Sequence, residues 1–358
     1  MGNSIEQIYE QARKDAADAI LNRIAPNTFK DVNGYRSMSL MEIGQSFLKL
    51  RRVPVAGKSK DEIAGMLLCG RDMSTSDFPL LLEDVANKML RNEYGLAPEY
   101  WDKIARRTSV TNYKDAKLYQ IGSANGMKEL AEGEELKYGK LQEAAQTIRV
   151  KSYAEGLKFT RQMIINDDLS AFETIPQKFG RDWNLLRGDL VWGMIKDNAV
   201  MPDGNAFFSA AHNNLSPNPD QIGEDSLTEA LLAFRTQTGI DGEPIRAIPK
   251  YLIVSPEQEI RARKLLTLTM ATNTGDVNVF STMGLELIVE HRLEGTAWYL
   301  AADPNAIDGL QYAYLGGTDT LRTNREDNFD TDSIKLGVRG DFGVAAIDWR
   351  GWYKNAGE

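Results

Sequence analysis

Between Leu169 and Met194 the large apolar residues are Leu169, Phe172, Ile175, Phe179, Trp183, Leu186, Leu190 and Met194. Steps of three and four place them on one face of a 3.6-residue period. Pro176 removes a backbone donor, which a first turn tolerates and a helix interior does not. The pattern therefore predicts a short turn over 167–172, Thr174 as N-cap, and one long helix to about Asp197. At ~1.5 Å per residue such a helix is roughly 35 Å long. Arg181, Asp182, Arg187, Asp189 and Lys196 lie on its other face, so it reads as two-faced. With β-like patterns before and after it, the helix reads as a spine for two sub-domains.

Upstream, Ile5, Ile8, Ala12, Ala16, Ile20 and Ile24 give a helix over 4–24. Leu40, Ile43, Phe47 and Leu50 give another over 39–50, opened by the Ser39/Glu42 capping box, and Ser59/Glu62 opens a third over 59–68. Their Pro- and Gly-bearing joints suggest an appendage ending near Gly70-Arg71-Asp72. An extended Ser/Thr arm from Met73 then leads to a helix from about Asp77, with Pro79 in its first turn. Two strands are expected at 115–122 and 146–160, with a shift near Glu155-Gly156. The stretch between them, SANGMKELAEGEELKYGKLQEAA, has four glutamates in eight residues and only scattered large apolar residues. It reads either as a surface loop or as a long β-hairpin that needs a partner surface to be stable.

After the spine comes a turn at 201–204 and a Pro/Asn-rich loop. A helix is expected over 226–239, capped by Ser226 and Glu229 and stopped by Gly239. Next come a strand at 250–254, a helix from Ser255-Pro256 to about Leu268, and strands at 285–290, 298–301 and 311–315. Helix and strand alternate over 225–316, which reads as one α/β sub-domain. Strands at 320–325, 333–339 and 343–349 need partners from before the spine, such as 146–160, so one sub-domain is discontinuous.

Composition narrows the function. The chain has 358 residues, 42% hydrophobic and 26% charged, which allows two or three compact units. The lone Cys69 excludes an internal disulfide and a cysteine metal cluster, and two histidines make a His-rich metal site a poor fit. No apolar run is long enough to span a membrane, and the N-terminus lacks a signal core and a myristoylation pattern, so a cytoplasmic origin is expected. A net charge of −9 disfavours gripping nucleic acid but is compatible with surrounding it.

Candidate chemistry is sparse. Ser209 and His212 invite a hydrolase reading, but no nucleophile elbow surrounds them. His291 reads as a strand-end residue, Asp167-Asp168 as helix-start carboxylates, and Glu132–Glu135 as a solvated cluster. Neither a dinucleotide fingerprint nor a phosphate loop is present. No catalytic, cofactor-binding or metal residues are assigned, and no cofactor is expected.

Five ordered motifs carry a resemblance: MSTSDFP (73–79), the Trp101 region, GEELKYGKL (133–141), TRQMIINDDLSAF (160–172) with Ile175-Pro176, and FFSAAHNNL (207–215). Together they resemble the major head subunit of Mu-like phages and prophages, including versions fused to a prohead protease. That group is similar to the Hong Kong 97-type phage capsid fold, an α+β architecture. The resemblance implies a helical scaffold-like segment at 1–72, an N-terminal arm at 73–112 and an extended loop (E-loop) at 113–160. It further implies a peripheral (P) domain with the spine helix at 161–224, an axial (A) domain at 225–316 and closing P-domain strands at 317–358. It implies a non-enzymatic major capsid protein that self-assembles as hexamers and pentamers into an icosahedral head enclosing DNA. The virion would be assembled in a bacterial cytoplasm, with portal, decoration proteins and a maturation protease as partners. No protease is fused in this chain, so that enzyme is expected on another. Lys128, Lys137, Lys140 and Asn328 are the groups that an inter-subunit cross-link would use, and none is expected. The alternatives are an encapsulin-like bacterial nanocompartment shell and, lesser, a hydrolase using the Ser209/His212 loop.

Overall fold

The computed structural model describes residues 2–24, 35, 38–69, 77–94, 99–121, 143–166, 169–239, 242–267, 283–319, 321–328 and 333–357. In chain order the helices are α1 Gly2–Ile24, α2 Leu40–Leu50, α3 Lys60–Cys69, α4 Asp77–Tyr94, α5 Trp101–Ile104, α6 Arg161–Ile165, α7 Leu169–Lys196, α8 Glu224–Arg235 and α9 Glu259–Leu266. The strands are β1 Ala105–Val110, β2 Ala116–Ile121, β3 Glu143–Ile148, β4 Lys151–Thr160, β5 Pro249–Val254, β6 Glu286–Val289, β7 Trp298–Ala302, β8 Leu310–Leu315, β9 Arg322–Asn328, β10 Ser333–Ala346 and β11 Trp352–Asn355. The fold is α+β. The chain divides into two units, Met1–Pro98 with Ser152–Leu185 and Thr320–Gly340, and Glu99–Lys151 with Leu186–Asp319 and Asp341–Glu358. Both are discontinuous, as the late strands require.

The first unit is built on the amphipathic helices. Both capping boxes form: Ser39 N–H donates to Glu42 (2.8 Å) and Glu42 N–H returns to Ser39 Oγ (3.2 Å), while Ser59 and Glu62 repeat the pair at 2.8 and 3.2 Å. The buried face of α1 includes Ala16, Ala17, Ile20 and Leu21, whereas Ile8 is 59% exposed and lies off the packed stripe. These residues share one core with Leu40, Ile43 and Phe47 of α2, Ile63 and Leu67 of α3, Phe78, Leu81, Leu82 and Val85 of α4, and Leu336 of β10. Met163 and Ile165 of α6 pack against it. The helices of the first 69 residues are thus not an appendage with contacts of their own. Their apolar stripes are covered by α4, α6 and β10, because no stripe of a short helix is buried by itself. The rest of this unit is a sheet in which the N-terminal part of β10 pairs antiparallel with β9, with β4 also beside β10. Phe179 of α7 packs on Val338, and the Trp183 ring lies against Gly340, 2.5 Å from where a Cβ would stand.

In the second unit β1 runs parallel to β8, which pairs antiparallel with Gly343–Ala346 of β10. Trp101 meets Tyr312 and Phe342 edge-on at 4.9 and 5.8 Å. A second sheet has the order β11-β7-β5-β6, with β5 and β6 parallel. Period-two alternation gives it two buried faces. Leu252 and Val254 face α8 and α9 through Leu227, Ala230, Phe234 and Ala262. On other side chains of this unit, Phe208 packs at 5.5 Å from Tyr299 and 6.4 Å from Trp352. β2 and β3 form a separate hairpin, in register from Ala116↔Ile148 to Ile121↔Glu143.

Several elements differ from the sequence pattern. α7 begins at Leu169, so Pro176 is an interior residue and Thr174 is not a cap. A lost hydrogen bond is a local penalty of about 3 kcal/mol, which a 28-residue helix absorbs. In the C-terminal half of α7 the buried positions are Arg187, Val191, Trp192 and Ile195, while Leu186, Leu190 and Met194 are only half-buried. α8 starts at Glu224 with Gly223 as N-cap, and Ser226 Oγ accepts from Gly223 N–H at 3.0 Å instead of capping a later start. The helix ends at Arg235, before Gly239. The break in the 146–160 segment falls at Arg149-Val150, which separates β3 from β4. β8 belongs to the β1/β10 sheet rather than to the α/β sub-domain, and β11 joins the sheet of β5–β7.

Candidate functional site

The Pro/Asn-rich loop after α7 contains the one serine–histidine pair that suggested catalysis. Its shape is set by short polar side chains that bond to nearby backbone. Asn198, at φ 49°, accepts from Phe208 N–H (2.6 Å) and donates to the Phe208 carbonyl (3.0 Å). Asp203 receives the Asn205 N–H at 3.1 Å and the Asn205 amide at 3.0 Å. Asn214 donates to the Phe207 carbonyl (2.8 Å) and accepts from Ser209 N–H (3.0 Å). Gln237 of the segment after α8 donates to the carbonyls of His212 and Asn213 at 2.9 and 3.0 Å.

His212 is buried in this frame. Its Nδ1 faces the Phe207 carbonyl at 3.1 Å and its Nε2 faces Asp203 Oδ2 at 2.7 Å. Its ring stacks on Trp349 at 3.9 Å, and the Arg350 guanidinium lies 4.4 Å over the Trp349 ring. Both nitrogens are therefore engaged with acceptors, and neither is free to take a proton from a hydroxyl. Ser209 Oγ is buried without a hydrogen-bond partner, and so has no base to activate it. Burial alone would raise the Asp203 carboxyl, but bonds from Asn205 and His212 outweigh it and lower the pKa from 3.8 to about 2. The loop is a folded brace in which serine and histidine are not joined.

The other singled-out residues are structural or lie outside the described part. His291 is exposed, with Nδ1 3.1 Å from Glu290. Glu290, itself 2% exposed, accepts from Arg292 at 3.0 Å. Arg292 also bonds Glu99 at 3.1 Å and Asp189 at 2.6 Å, an ion network that the sequence pattern does not flag. Arg187, expected on the polar face of α7, is buried because Tyr314 Oη (2.7 Å), Asp319 (3.1 Å) and the Trp101 ring (5.1 Å) surround it. Asp167-Asp168, Glu132–Glu135, Lys128, Lys137 and Lys140 lie outside the described residues, as does the Asn328 side chain. Among the described residues no three His, Cys, Asp or Glu side chains converge as a metal site, and no helix is long and apolar enough to cross a membrane. What remains is framework: a long helix, a two-stranded hairpin, and braced sheets.

A family model described as phage capsid protein matches residues 143–355. No curated protein matches the chain. Among solved structures, the procapsid of bacteriophage JBD30 is 17% identical, covering 78% of this chain and 75% of that one, with a TM-score of 0.45. The capsid of the native GTA particle is 14% identical over 72% and 90%, with a TM-score of 0.49. A virus-like particle from Pyrococcus furiosus is 13% identical over 75% and 96%, with a TM-score of 0.40.

Proposed function

This chain belongs to the phage capsid protein family and its role is structural, as a capsid subunit; from that premise we propose that it is the major head subunit of a Mu-like phage or prophage. Copies close as hexamers and pentamers into an icosahedral shell of the Hong Kong 97 type, enclosing DNA without sequence-specific binding. The observation that carries the capsid reading is the family match over 143–355, which runs from β3 to β11, and the ordered sequence motifs support the Mu-like one. The elements suit the work. A long α7 gives stiffness, and the Arg292 and Arg187 networks fix loops without leaving buried charge unpaired. The β2–β3 hairpin, whose 122–142 connection is rich in glutamate with only scattered large apolar residues, takes the place of the E-loop and is completed by a neighbouring copy.

In this reading α7 with β4, β9 and the N-terminal part of β10 is the P domain, and the β5–β7/β11 sheet with α8 and α9 is the A domain. Residues 73–112 are the arm. Residues 1–72 guide assembly in the host cytoplasm, and portal, decoration proteins and a maturation protease come from other chains. Catalysis has no place in it. Particles isolated from the host test the reading: nuclease-protected DNA inside closed shells is expected. Shells that hold a packaged enzyme and no nucleic acid would overturn it in favour of a nanocompartment.

A further inference from the structure

In a chain with 51 acidic and 42 basic side chains, the twelve residues KLRRVPVAGKSK from Lys49 to Lys60 carry five cations and no carboxylate. They link α2 to α3, and their packing sorts them by polarity. Val53 and Val55 turn inward onto the helical core. Arg51 is drawn over the Tyr9 ring at 4.0 Å, and Tyr9 Oη donates to the Leu50 carbonyl at 3.0 Å. Lys49, Arg52, Lys58 and Lys60 are left exposed. Among the described residues none of the four is in an ion pair, and the only partner of Lys58 is the weak acceptor Met66 Sδ at 3.1 Å. Glu42 and Glu62 are already engaged as capping carboxylates on Ser39 and Ser59.

A basic residue at a helix C-terminus has a local use, because it complements the helix dipole. That accounts for Lys49. It does not account for Arg52. Val53 N–H bonds the Leu48 carbonyl and Arg52 N–H bonds the Lys49 carbonyl, both at 2.9 Å, which closes a Schellman motif with Arg52 in its left-handed position at φ 62°. Glycine suits that position best, since a Cβ is strained there. An arginine that strains the cap and whose side chain has no hydrogen bond or ion pair among the described residues points to a use for its charge beyond the fold.

We propose that the Lys49–Lys60 loop contacts the phosphate backbone of duplex DNA, with Lys49, Arg52, Lys58 and Lys60 as the phosphate-binding cations. Spread cations without an apolar anchor suit a polyphosphate surface better than an acidic peptide, which needs a groove or pocket for its side chains. The contact is sequence-independent, because nothing in the loop is shaped to read bases. It rests on the capsid reading only for the source of the DNA, and binding by unassembled subunits tests it separately.

The test uses full-length unassembled chain and a fluorescent random-sequence DNA duplex, read by anisotropy across a salt series. Four neutralised phosphates predict a slope of log K against log salt near −3.6, or a loss of about a hundredfold from about 50 to about 200 mM salt. Arg52→Gly relieves the strained cap, so its thermal midpoint stays level or rises while affinity falls and the slope shrinks by about 1. The triple variant Lys49→Glu, Arg52→Glu, Lys60→Glu should abolish binding. The proposal is overturned if wild type fails to bind the duplex, if the triple variant binds equally well, or if poly-glutamate binds the loop and DNA does not. Shell formation by the same variants, followed by microscopy, reports on the capsid reading independently.

Discussion

Gly343 sits where two backbones cross. A Cβ there would stand 2.8 Å from the Arg149 carbonyl carbon, closer still to its oxygen, and 3.0 Å from Val150 Cα. All three are main-chain atoms, so no side chain can swing aside. Gly343→Ala must push the Arg149-Val150 link away from β10 or pull β10 off β8, with which Gly343 pairs opposite Ala313. Removing a glycine from a strand gains roughly 0.5–1 kcal/mol of backbone entropy. Overpacking against an unyielding neighbour costs about 1–3 kcal/mol, and more where backbone must move. The expected net is a loss of about 2 kcal/mol, or a fall in Tm of roughly 4–8 °C. Gly65→Ala is the control, because nothing lies within 4 Å of its Cβ position inside α3. It should stabilise by about 1 kcal/mol. Thermal unfolding of unassembled subunits by circular dichroism reads both. If Gly343→Ala matched wild type within ~0.5 kcal/mol, the close crossing at Arg149 would be refuted.

Three further outcomes follow from the same packing. Arg292→Ala strands Glu290, 2% exposed, without its cation and should cost about 3–5 kcal/mol in denaturant unfolding, with Glu290→Gln in the same chain recovering part of it. Equal stability of single and double variants would show that the network is not coupled. His212→Ala should loosen the 198–216 brace, measured as faster amide exchange at Phe208 and Ser209, and leave any esterase background unchanged; a reproducible activity lost with His212 would revive the hydrolase. The Asp203 carboxyl is lowered from 3.8 to about 2, so its contribution is complete above pH 3.8 and is lost as pH falls towards 2. Asp203→Asn should remove that part of the acid dependence, and an unchanged melting profile between those pH values would contradict the assignment.

Local chemistry was legible where it acts locally. The Ser39/Glu42 and Ser59/Glu62 boxes and the strand that became β5 follow from spacing and side-chain type, while the α+β class came from the resemblance to a known family. Facing was less legible. Arg187 reads as a surface residue until Tyr314 and Asp319, over a hundred positions away, supply its partners. Ser226 matches a cap pattern, but the chain turns at Gly223 and the hydroxyl bonds backward. β8 follows a helix and strand series in sequence yet pairs with β1, because a strand's edge selects its partner by register and not by order. The Ser209/His212 pair shows the same limit from the functional side. Spacing brings the residues near one another, while the hydrogen bonds of Asp203 and Phe207 decide that they do not act together. The strained Arg52 is visible only once its φ is known.

Negative-stain microscopy of the purified full-length chain tests the central claim most directly. A major head subunit should give closed, rounded shells of uniform diameter, whose surface averages into six-fold and five-fold clusters. A chain that stays as single subunits at every concentration, or forms only open aggregates, while its circular dichroism shows it folded, would contradict it.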